Sequence, residues 1–536
     1  MVRESNKILN TNYYTLVPQS SEVRDGSSDK ISQTTQDITL VSQGNKRYWS
    51  RTNSVTKTDN LKNTSVKQTF NDYDSYGNPK NIKTEYLNGG SNSGISETKE
   101  IIYTNTGPTT NIKPKKITLT KTNENGLQTR INRFVYDEKG NLTRKTRDVG
   151  DDNELVKTYT DYDAFGNPGT VTESANGKSR STSFEYSASG RFLEKETDDF
   201  TGFATTYNYN ETTGLLTSET DHLGLTTEYE YDGFGRIVKT THPDGTYSVK
   251  ARQWAGGDGP DDAKYYTYEE TSGESPVWTW YDSRGRELRT EYFGYDDDKK
   301  IRVDKKYNPK GRVESVSKPY FANGDREWAE SYTYDDEGRI ETKTTPMGTT
   351  TMAYEGLTTT ITTPRSVKVK TENAAGQTVS NKVDGRTVTF SYYPSGKVKT
   401  ATPQGGKSVE MFYDTQGNRI KINDPDAGVV ETTYNGFGEL TSEEYTMGSG
   451  EDERTVTTSY TYDGSGRLVE TDRNGKITDY KHNDSNGFLK SISNSDHKVT
   501  YTYDEGSNKH LGRATTVKEQ IEGKAFIFKT SYDAFG

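Results

Sequence analysis

The stretch TTEYEYDGFGRIVKTTHPDGTYSVK, residues 226–250, indicates how the whole chain folds. Its segments TTEYEY and RIVKTT are rich in Thr, Tyr, Val and Ile, which suit pleated, half-buried strands. Between them, the Asp232 side chain can bond backbone amides ahead of it, and Gly235 can accept a positive φ. A type I turn followed by a left-handed residue joins two antiparallel strands. We therefore predict a β-hairpin that turns at Asp232–Gly235 and a second turn at Pro243–Gly245.

The pattern Tyr-[Asp/Asn]-x-x-Gly recurs along the chain. Its eleven copies begin at Tyr73, Tyr136, Tyr162, Tyr231, Tyr281, Tyr307, Tyr334, Tyr413, Tyr434, Tyr462 and Tyr532. In nine of them we assign a structural turn role to the Tyr and to the pairs Asp74 and Gly77, Asp137 and Gly140, Asp163 and Gly166, Asp232 and Gly235, Asp282 and Gly285, Asp335 and Gly338, Asp414 and Gly417, Asn435 and Gly438, and Asp463 and Gly466. Neighbouring copies such as Tyr136 and Tyr162 lie 26 residues apart. This distance fits two strands and two turns.

The composition argues against thick hydrophobic cores. Only 28% of the residues are hydrophobic, against about 45–50% in ordinary globular domains. Global disorder is also disfavoured, because a net charge of -10 is small for 536 residues and 38 tyrosines are many for a solvated chain. An all-β sheet with two wet faces fits both observations.

The predicted fold is a long array of antiparallel β-hairpins. Roughly thirty strands at about 4.8 Å each would make a sheet near 140 Å wide. Twisted open sheets rarely exceed about ten strands before they curl or close. We therefore expect the array to coil into the wall of a hollow shell, present in this sequence as an open fragment.

The domain organisation follows from the distribution of the motif. Residues 1–70 hold no copy and are interpreted as a β-rich, partly mobile lead-in. Residues 71–536 form the repeat segment, with an acidic, Gly-rich inserted loop at about 250–280. Because the sequence stops within the copy that starts at Tyr532, we expect it to be part of a longer chain; its first residues show no apolar signal-peptide region.

Several kinds of chemistry are disfavoured. Without cysteine the chain has no disulfide or thiolate site, and no run of about 18 apolar residues predicts a membrane helix. The excess of 79 acidic over 69 basic residues offers no nucleic-acid stripe. The five histidines lack metal-ligand spacing, and the acidic runs 258–262 and 296–298 lack the alternation of a calcium loop. We predict no catalytic residue, no metal and no cofactor.

Trp254, Trp278 and Trp280 are the candidate binding residues. With Tyr265, Tyr266 and Tyr268 they form an aromatic group in sequence. Flat rings with a polar edge suit a sugar or a protein surface, but internal packing of the insertion also explains them and is the favoured interpretation.

The repeats resemble the Rhs/YD-repeat family, which includes bacterial polymorphic toxins, insecticidal toxin complex (Tc) B and C subunits and, more distantly, teneurins. Three stretches are similar to the repeat segment of toxin-complex proteins: SPVWTWYDSRGRELRTEY (275–292), YEGLTTTITTP (354–364) and DPDAGVVETTYNGFGEL (424–440). The resemblance covers about residues 70–536 and implies a spiralling shell that encloses a C-terminal toxin. Nothing in the chain resembles the family's self-cleaving core or a toxin domain.

The resulting hypothesis is a non-enzymatic shell segment of a secreted or delivered bacterial toxin. Its expected partners are the rest of its own chain or a partner shell subunit, and an enclosed effector domain that this sequence lacks. Neither nucleic acid nor membrane insertion is expected. The alternative is a cell-surface adhesion module that binds glycans or proteins through exposed aromatic residues.

Overall fold

The computed structural model describes residues 2–10, 15–24, 29–42, 44, 48–104, 112–257, 259–294, 299–448, 452–504 and 511–532. In these ranges the chain forms 44 β-strands and no α-helix. The predicted fold class, an all-β array of antiparallel hairpins, is confirmed. Asp258, residues 296–298, His510 and the last four residues of the Tyr532 copy lie outside the described residues.

The chain divides into two units, each made of two separate stretches. Unit 1 comprises residues 1–157 and 333–455, and unit 2 comprises residues 158–332 and 456–536. We call the earlier stretch of each unit its first run and the later stretch its second run.

Unit 1 contains 21 whole strands. Its first run holds β1 (Val2–Asn10), β2 (Thr15–Arg24), β3 (Lys30–Ser42), β4 (Tyr48–Asp59), β5 (Thr64–Tyr73), β6 (Pro79–Asn88), β7 (Ser91–Tyr103), β8 (Pro114–Asn123), β9 (Gly126–Tyr136) and β10 (Leu142–Arg147). Its second run holds β27 (Ile340–Thr345), β28 (Gly348–Glu355), β29 (Thr358–Thr362), β30 (Val367–Glu372), β31 (Thr378–Val383), β32 (Arg386–Tyr392), β33 (Val398–Pro403), β34 (Val409–Tyr413), β35 (Arg419–Asp424), β36 (Gly428–Tyr434) and β37 (Leu440–Met447).

In unit 2, the first run holds β12 (Thr170–Ala175), β13 (Lys178–Tyr186), β14 (Leu193–Asp198), β15 (Ala204–Tyr209), β16 (Leu216–Thr220), β17 (Thr226–Tyr231), β18 (Ile237–Thr241), β19 (Tyr247–Trp254), β20 (Tyr265–Thr271), β21 (Val277–Tyr281), β22 (Glu287–Phe293), β23 (Lys300–Tyr307), β24 (Val313–Ser317) and β25 (Tyr320–Phe321). The second run holds β39 (Leu468–Arg473), β40 (Lys476–His482), β41 (Leu489–Ser493), β42 (His497–Tyr503), β43 (Ala514–Ile521) and β44 (Lys524–Lys529). Strands β11 (Leu155–Thr160), β26 (Trp328–Tyr334) and β38 (Arg454–Tyr462) contain the points at which the chain passes from one unit to the other.

Within each run, strands that follow one another in sequence pair antiparallel. In the hairpin of β17 and β18, Glu230 faces Lys239 and Tyr231 faces Ile237, so the register shifts by one residue at the Tyr. The same shift occurs at Tyr413 and Tyr462. One extra residue on one strand is the mark of a β-bulge, which fits the predicted combination of turn and bulge.

One excursion interrupts the order of strands. Strand β23 pairs with β24 through Lys305–Tyr307 and with the short β25 through Ile301–Arg302, while β24 continues to β26. Residues 250–280, interpreted from sequence as an inserted loop, contain parts of β19 and β21 and all of β20, which pair in order.

The sheet buries little. Among the described residues no large side chain is fully buried, and the buried hydrophobic residues are Val17, Ile101, Leu155, Ala175, Ala255 and Trp280. The chain exposes 32213 Å², whereas a compact monomer of its 60.2 kDa would expose roughly 19,000 Å². Strand pairing and turn contacts must therefore hold this fold together, since it lacks a thick core.

Candidate functional site: the repeat turn and its neighbours

The aspartate of the repeat motif organises its turn through its carboxylate. Oδ1 of Asp232 accepts hydrogen bonds from the backbone N–H groups of Phe234 at 2.9 Å and Arg236 at 3.0 Å, and Oδ2 accepts one from Nε of Arg236 at 2.7 Å. The N–H of Gly235 donates to the carbonyl oxygen of Asp232 at 3.0 Å. The Arg236 side chain, followed by its backbone N–H, lowers the pKa of Asp232 because both bond the charged carboxylate.

The nine motif glycines share one backbone conformation. Their φ angles lie between +77° and +97°, a region that side chains with a Cβ atom rarely adopt. Eight of the nine motif tyrosines are the last residue of a strand, and Tyr162 lies two residues beyond β11. The structure thus places all nine copies at hairpin connections.

The residue after the glycine also belongs to the site, and sequence analysis missed it. It is Asn in the copies of Asp74, Asp137, Asp163 and Asp414, and its side-chain amide donates to Oδ2 of the aspartate at 2.9 Å. It is Arg in the copies of Asp232, Asp282, Asp335 and Asp463, where Nε donates at 2.7 Å.

A reversed pair obeys the same rule. In one copy the motif aspartate is replaced by Asn435, and the residue after the glycine is Glu439. The Asn435 amide donates to the Glu439 carboxylate at 2.8 Å. The signal was therefore present in the sequence, as a donor after the glycine for each Asp and an acceptor for this Asn.

The repeat tyrosines link successive repeats through their hydroxyl groups. The Tyr307 hydroxyl donates to the carbonyl oxygen of Glu287 at 2.7 Å, and Tyr392 donates to Thr378 at 2.5 Å. Each acceptor is the first residue of the strand that follows an earlier repeat turn. The same bond joins Tyr103 to Pro79, Tyr136 to Pro114, Tyr354 to Ile340, Tyr503 to Leu489 and Tyr532 to Ala514.

These tyrosines are partly removed from water. Burial raises the pKa of Tyr136, because the charged phenolate would lose solvation. His482 replaces tyrosine in one repeat, and its Nε2 lies 3.1 Å from the carbonyl oxygen of Leu468. The bond to the earlier repeat is thus kept when the residue type changes.

The three candidate tryptophans occupy different environments. Trp280 is 5% exposed, donates from Nε1 to Glu291 at 3.3 Å and packs on Tyr266 with ring centroids 4.7 Å apart. Trp278 packs on Tyr268 at 5.2 Å. Trp254 is 82% exposed, and of the three it alone offers most of its ring to solvent. The structure therefore does not join them into one exposed surface.

A buried charge cluster lies beside Trp280, and no sequence pattern predicted it. Asp304 is 4% exposed and accepts hydrogen bonds from Nε of Arg289 at 2.6 Å, Nη1 of Arg326 at 2.9 Å and Oη of Tyr320 at 2.8 Å. Burial alone would raise the pKa of Asp304, but the bonds from Arg289 and Arg326 outweigh burial and lower it. Because Tyr320 is the first residue of β25 and Arg326 follows β25 in the chain, the cluster attaches this excursion to β23.

Within the described ranges, no group of three or more His, Asp or Glu side chains is placed to hold a metal ion. In the same part of the chain, no helix has the length and apolarity needed to cross a membrane.

An antiparallel array whose hairpins close on Tyr-Asp-x-x-Gly turns and whose tyrosines bond the preceding repeat defines a YD-repeat fold. The family model described as RHS Repeat matches residues 209–247. The resemblance of the chain to the Rhs/YD-repeat family is thereby confirmed.

Solved structures share the fold. A crystal structure of TcdB2-TccC3 is 11% identical, with a TM-score of 0.59, and the match covers 97% of this chain and 42% of that chain. A crystal structure of TcdB2-TccC3-Cdc42 is 10% identical, with a TM-score of 0.59, covering 97% and 44%. One of TcdB2-TccC3 without the hypervariable C-terminal region is 10% identical, with a TM-score of 0.57, covering 94% and 44%. This chain thus spans less than half the length of these matches, and none of the curated protein sequences compared with it matches.

Proposed function

We propose that this chain is a non-enzymatic structural segment of a shell that encloses an effector polypeptide, in a secreted or delivered toxin of the Rhs/Tc type. The observation that carries the proposal is a hairpin array with almost no core, held by repeat turns and shared with the TcdB2-TccC3 structures. A wall one sheet thick exposes one face to solvent and leaves the other free to face a cargo.

The proposed partners follow from this role. They are the rest of the same polypeptide or a second shell subunit, and the enclosed effector. We propose residues 1–70 as a lead-in and 71–536 as the wall, with the 250–280 region as a local elaboration of it. The wall itself is proposed to act outside the producing cell and to use neither metal nor cofactor.

Protease protection tests the proposal. The native protein would be purified with all its associated chains from producing cells and digested. We expect one polypeptide to survive intact, and to be degraded when the sample is first opened with denaturant. If no polypeptide is protected before opening, the enclosing role is wrong.

Exposure of Trp254 favours one alternative, an adhesion surface. Trp254 faces Tyr265 across β19 and β20, and Arg252 lies over the Tyr265 ring at 5.2 Å. Glycan binding that is lost in Trp254→Ala and kept in Phe234→Ala, a control residue that is 88% exposed, would support this alternative. Equal glycan binding by both variants would exclude the adhesion alternative.

A further inference from the structure

In each unit, hairpin turns of the first run contact repeat turns of the second run. In unit 1, Oγ1 of Thr415 donates to Oδ2 of Asp151 at 2.5 Å, and the Gln416 amide donates to the carbonyl oxygen of Asn153 at 2.5 Å. These partners lie 264 and 263 residues apart in sequence. We call such contacts between the two runs of one unit its seam.

A neighbouring turn pair extends the seam of unit 1. The Asn125 amide donates to the carbonyl oxygen of Tyr392 at 2.9 Å, and Nζ of Lys399 donates to Oδ1 of Asn125 at 2.9 Å. The turn of Asn125 lies between β8 and β9, at the end of the hairpin opposite to the repeat turn that follows Tyr136. Repeat turns of the second run therefore contact first-run turns that lie at the opposite end of a hairpin from its repeat turn.

Unit 2 uses the same arrangement. Oγ of Ser465 donates to Oδ2 of Asp198 at 2.8 Å, across 267 residues. Nε2 of His222 lies 3.1 Å from the carbonyl oxygen of Asn486, across 264 residues. Both contacts again join a first-run turn, at the end of a hairpin opposite to its repeat turn, to a second-run repeat turn.

The two residues that precede the Gly of a repeat turn differ in exposure between five turns of the second run and six turns of the first run. In five second-run turns they are half-buried or buried: Ala374 and Ala375, Pro394 and Ser395, Thr415 and Gln416, Gly436 and Phe437, and Gly464 and Ser465. In first-run turns they are exposed and mostly larger: Ser75 and Tyr76, Glu138 and Lys139, Ala164 and Phe165, Gly233 and Phe234, Ser283 and Arg284, and Pro309 and Lys310.

Two glycines at the same motif position show the contrast directly. A Cβ atom at Gly464 would lie 2.2 Å from the Phe200 ring of the first run, so a side chain there would require that ring to move. A Cβ atom at Gly233 would meet no atom within 4 Å. Neither glycine has a positive φ, so backbone strain does not distinguish them.

We propose that these two central residues determine which repeat turns accept another row of hairpins. A central pair that leaves room for the facing turn, as Gly464 and Ser465 do, makes a docking site, and an exposed pair with a long or charged side chain leaves the turn in solvent. The partner that fits is a hairpin turn with an Asp that accepts a hydrogen bond from the central pair, as Asp198 does from Ser465, and an aromatic ring that contacts the pair, as Phe200 does. This pairing rule is independent of whether the chain encloses a cargo.

Hydrogen exchange of the turn at residues 198–203 tests the rule in the whole chain. Gly464→Leu should speed exchange there by about tenfold, the order expected from overpacking a tight contact, while the matched control Gly233→Leu leaves it unchanged. Adding Phe200→Ala to Gly464→Leu should slow it again, because the ring that collides is removed. A loss of structure confined to the hairpin that carries the substitution would leave hydrogen exchange at residues 198–203 unchanged.

A second pair of variants keeps the test decisive if Gly464→Leu fails to fold. Ser465→Arg places a charge in the seam, and Phe234→Arg places the same charge at the same motif position on an exposed turn. We expect faster exchange at residues 198–203 only in Ser465→Arg. Equal effects in the two members of either pair, or no effect in any variant, would overturn the proposal.

Discussion

At the scale of single residues, most repeat turns concentrate hydrogen bonds on one carboxylate, and a phenol bonds the backbone beside an earlier turn. The carboxylate of Asp163 accepts the backbone N–H groups of Phe165 and Asn167 and the side-chain amide of Asn167. The phenol of a later repeat donates a hydrogen bond to a backbone carbonyl just after an earlier turn. Local and neighbouring contacts thus stabilise the same turns, which suits a chain with so little apolar surface to bury.

Removing one tyrosine hydroxyl should weaken the link between repeats. Tyr136→Phe leaves the Pro114 carbonyl without its donor and should cost roughly 0.5–1.5 kcal/mol of unfolding free energy. The control is Tyr76→Phe, because Tyr76 is 60% exposed and should cost nothing measurable. Urea denaturation measures both, and equal stabilities would contradict the role given to the hydroxyl.

Substitutions at Gly235 should show a backbone effect. Its φ is +77°, and a Cβ atom there would lie 3.7 Å from Leu215, so space is available and conformation is the obstacle. Gly235→Val should therefore be clearly less stable in thermal unfolding than Gly235→Ala, since β-branched residues are disfavoured at positive φ. An unchanged melting temperature in Gly235→Val would show that the turn assignment is wrong.

The repeat aspartates should make the fold sensitive to acid. The folded pKa of Asp232 is lowered, so its ionised form contributes stability above the unfolded pKa, near 3.9, and the contribution is lost as pH falls through the folded value. Asp232→Asn should be less stable than the parent at pH 7, and the difference should shrink below about pH 3. A difference that stays constant from pH 7 to pH 2 would contradict this.

The sequence allowed the turns to be predicted because everything they need lies within five consecutive residues. Asp232, Gly235 and their copies could be placed without knowing any distant contact. The carbonyl groups that accept the tyrosine hydroxyls could not be predicted. The bond from Tyr307 to Glu287 spans 20 residues, and no residue type indicates which backbone carbonyl will accept it.

At the scale of strands, the β25 excursion is the feature that sequence periodicity failed to predict. Its fastening depends on Arg289, Asp304 and Arg326, which lie on separate elements at irregular spacing. Residues at about 250–280 are predicted to be an inserted loop because an acidic, Gly-rich segment interrupts the repeat there. In this region Tyr265 pairs with Tyr281 across β20 and β21, with rings stacked 5.0 Å apart, so aromatic cross-strand pairs hold these strands in register.

Breaking the buried cluster should be costly. Asp304→Ala leaves Arg289 and Arg326 without their shared carboxylate and should lose about 3–5 kcal/mol, with faster hydrogen exchange concentrated in β22–β26. The control is Glu269→Ala, because the Lys250–Glu269 pair is more than half exposed on both sides and should change stability by less than about 1 kcal/mol. Similar losses in the two variants would contradict a special role for the cluster.

At the scale of the whole molecule, the proposed function requires a wall that is one sheet thick. A polar chain with 44 strands among its described residues cannot fill its interior with side chains, and no large side chain in those residues is fully buried. The composition predicted this thinness. It did not predict which turns meet across the seams, because partners more than 260 residues apart leave no local pattern.

Small-angle X-ray scattering of the folded, monomeric chain tests the thin, hollow wall most directly. Exposed strand edges can drive association, so monodispersity must be established first. A compact domain of 536 residues would have a radius of gyration near 24 Å. We predict a value above about 28 Å, with a pair-distance distribution typical of a curved wall. A monodisperse monomer that measures close to about 24 Å would contradict the shell and favour packed sandwiches with an adhesive surface.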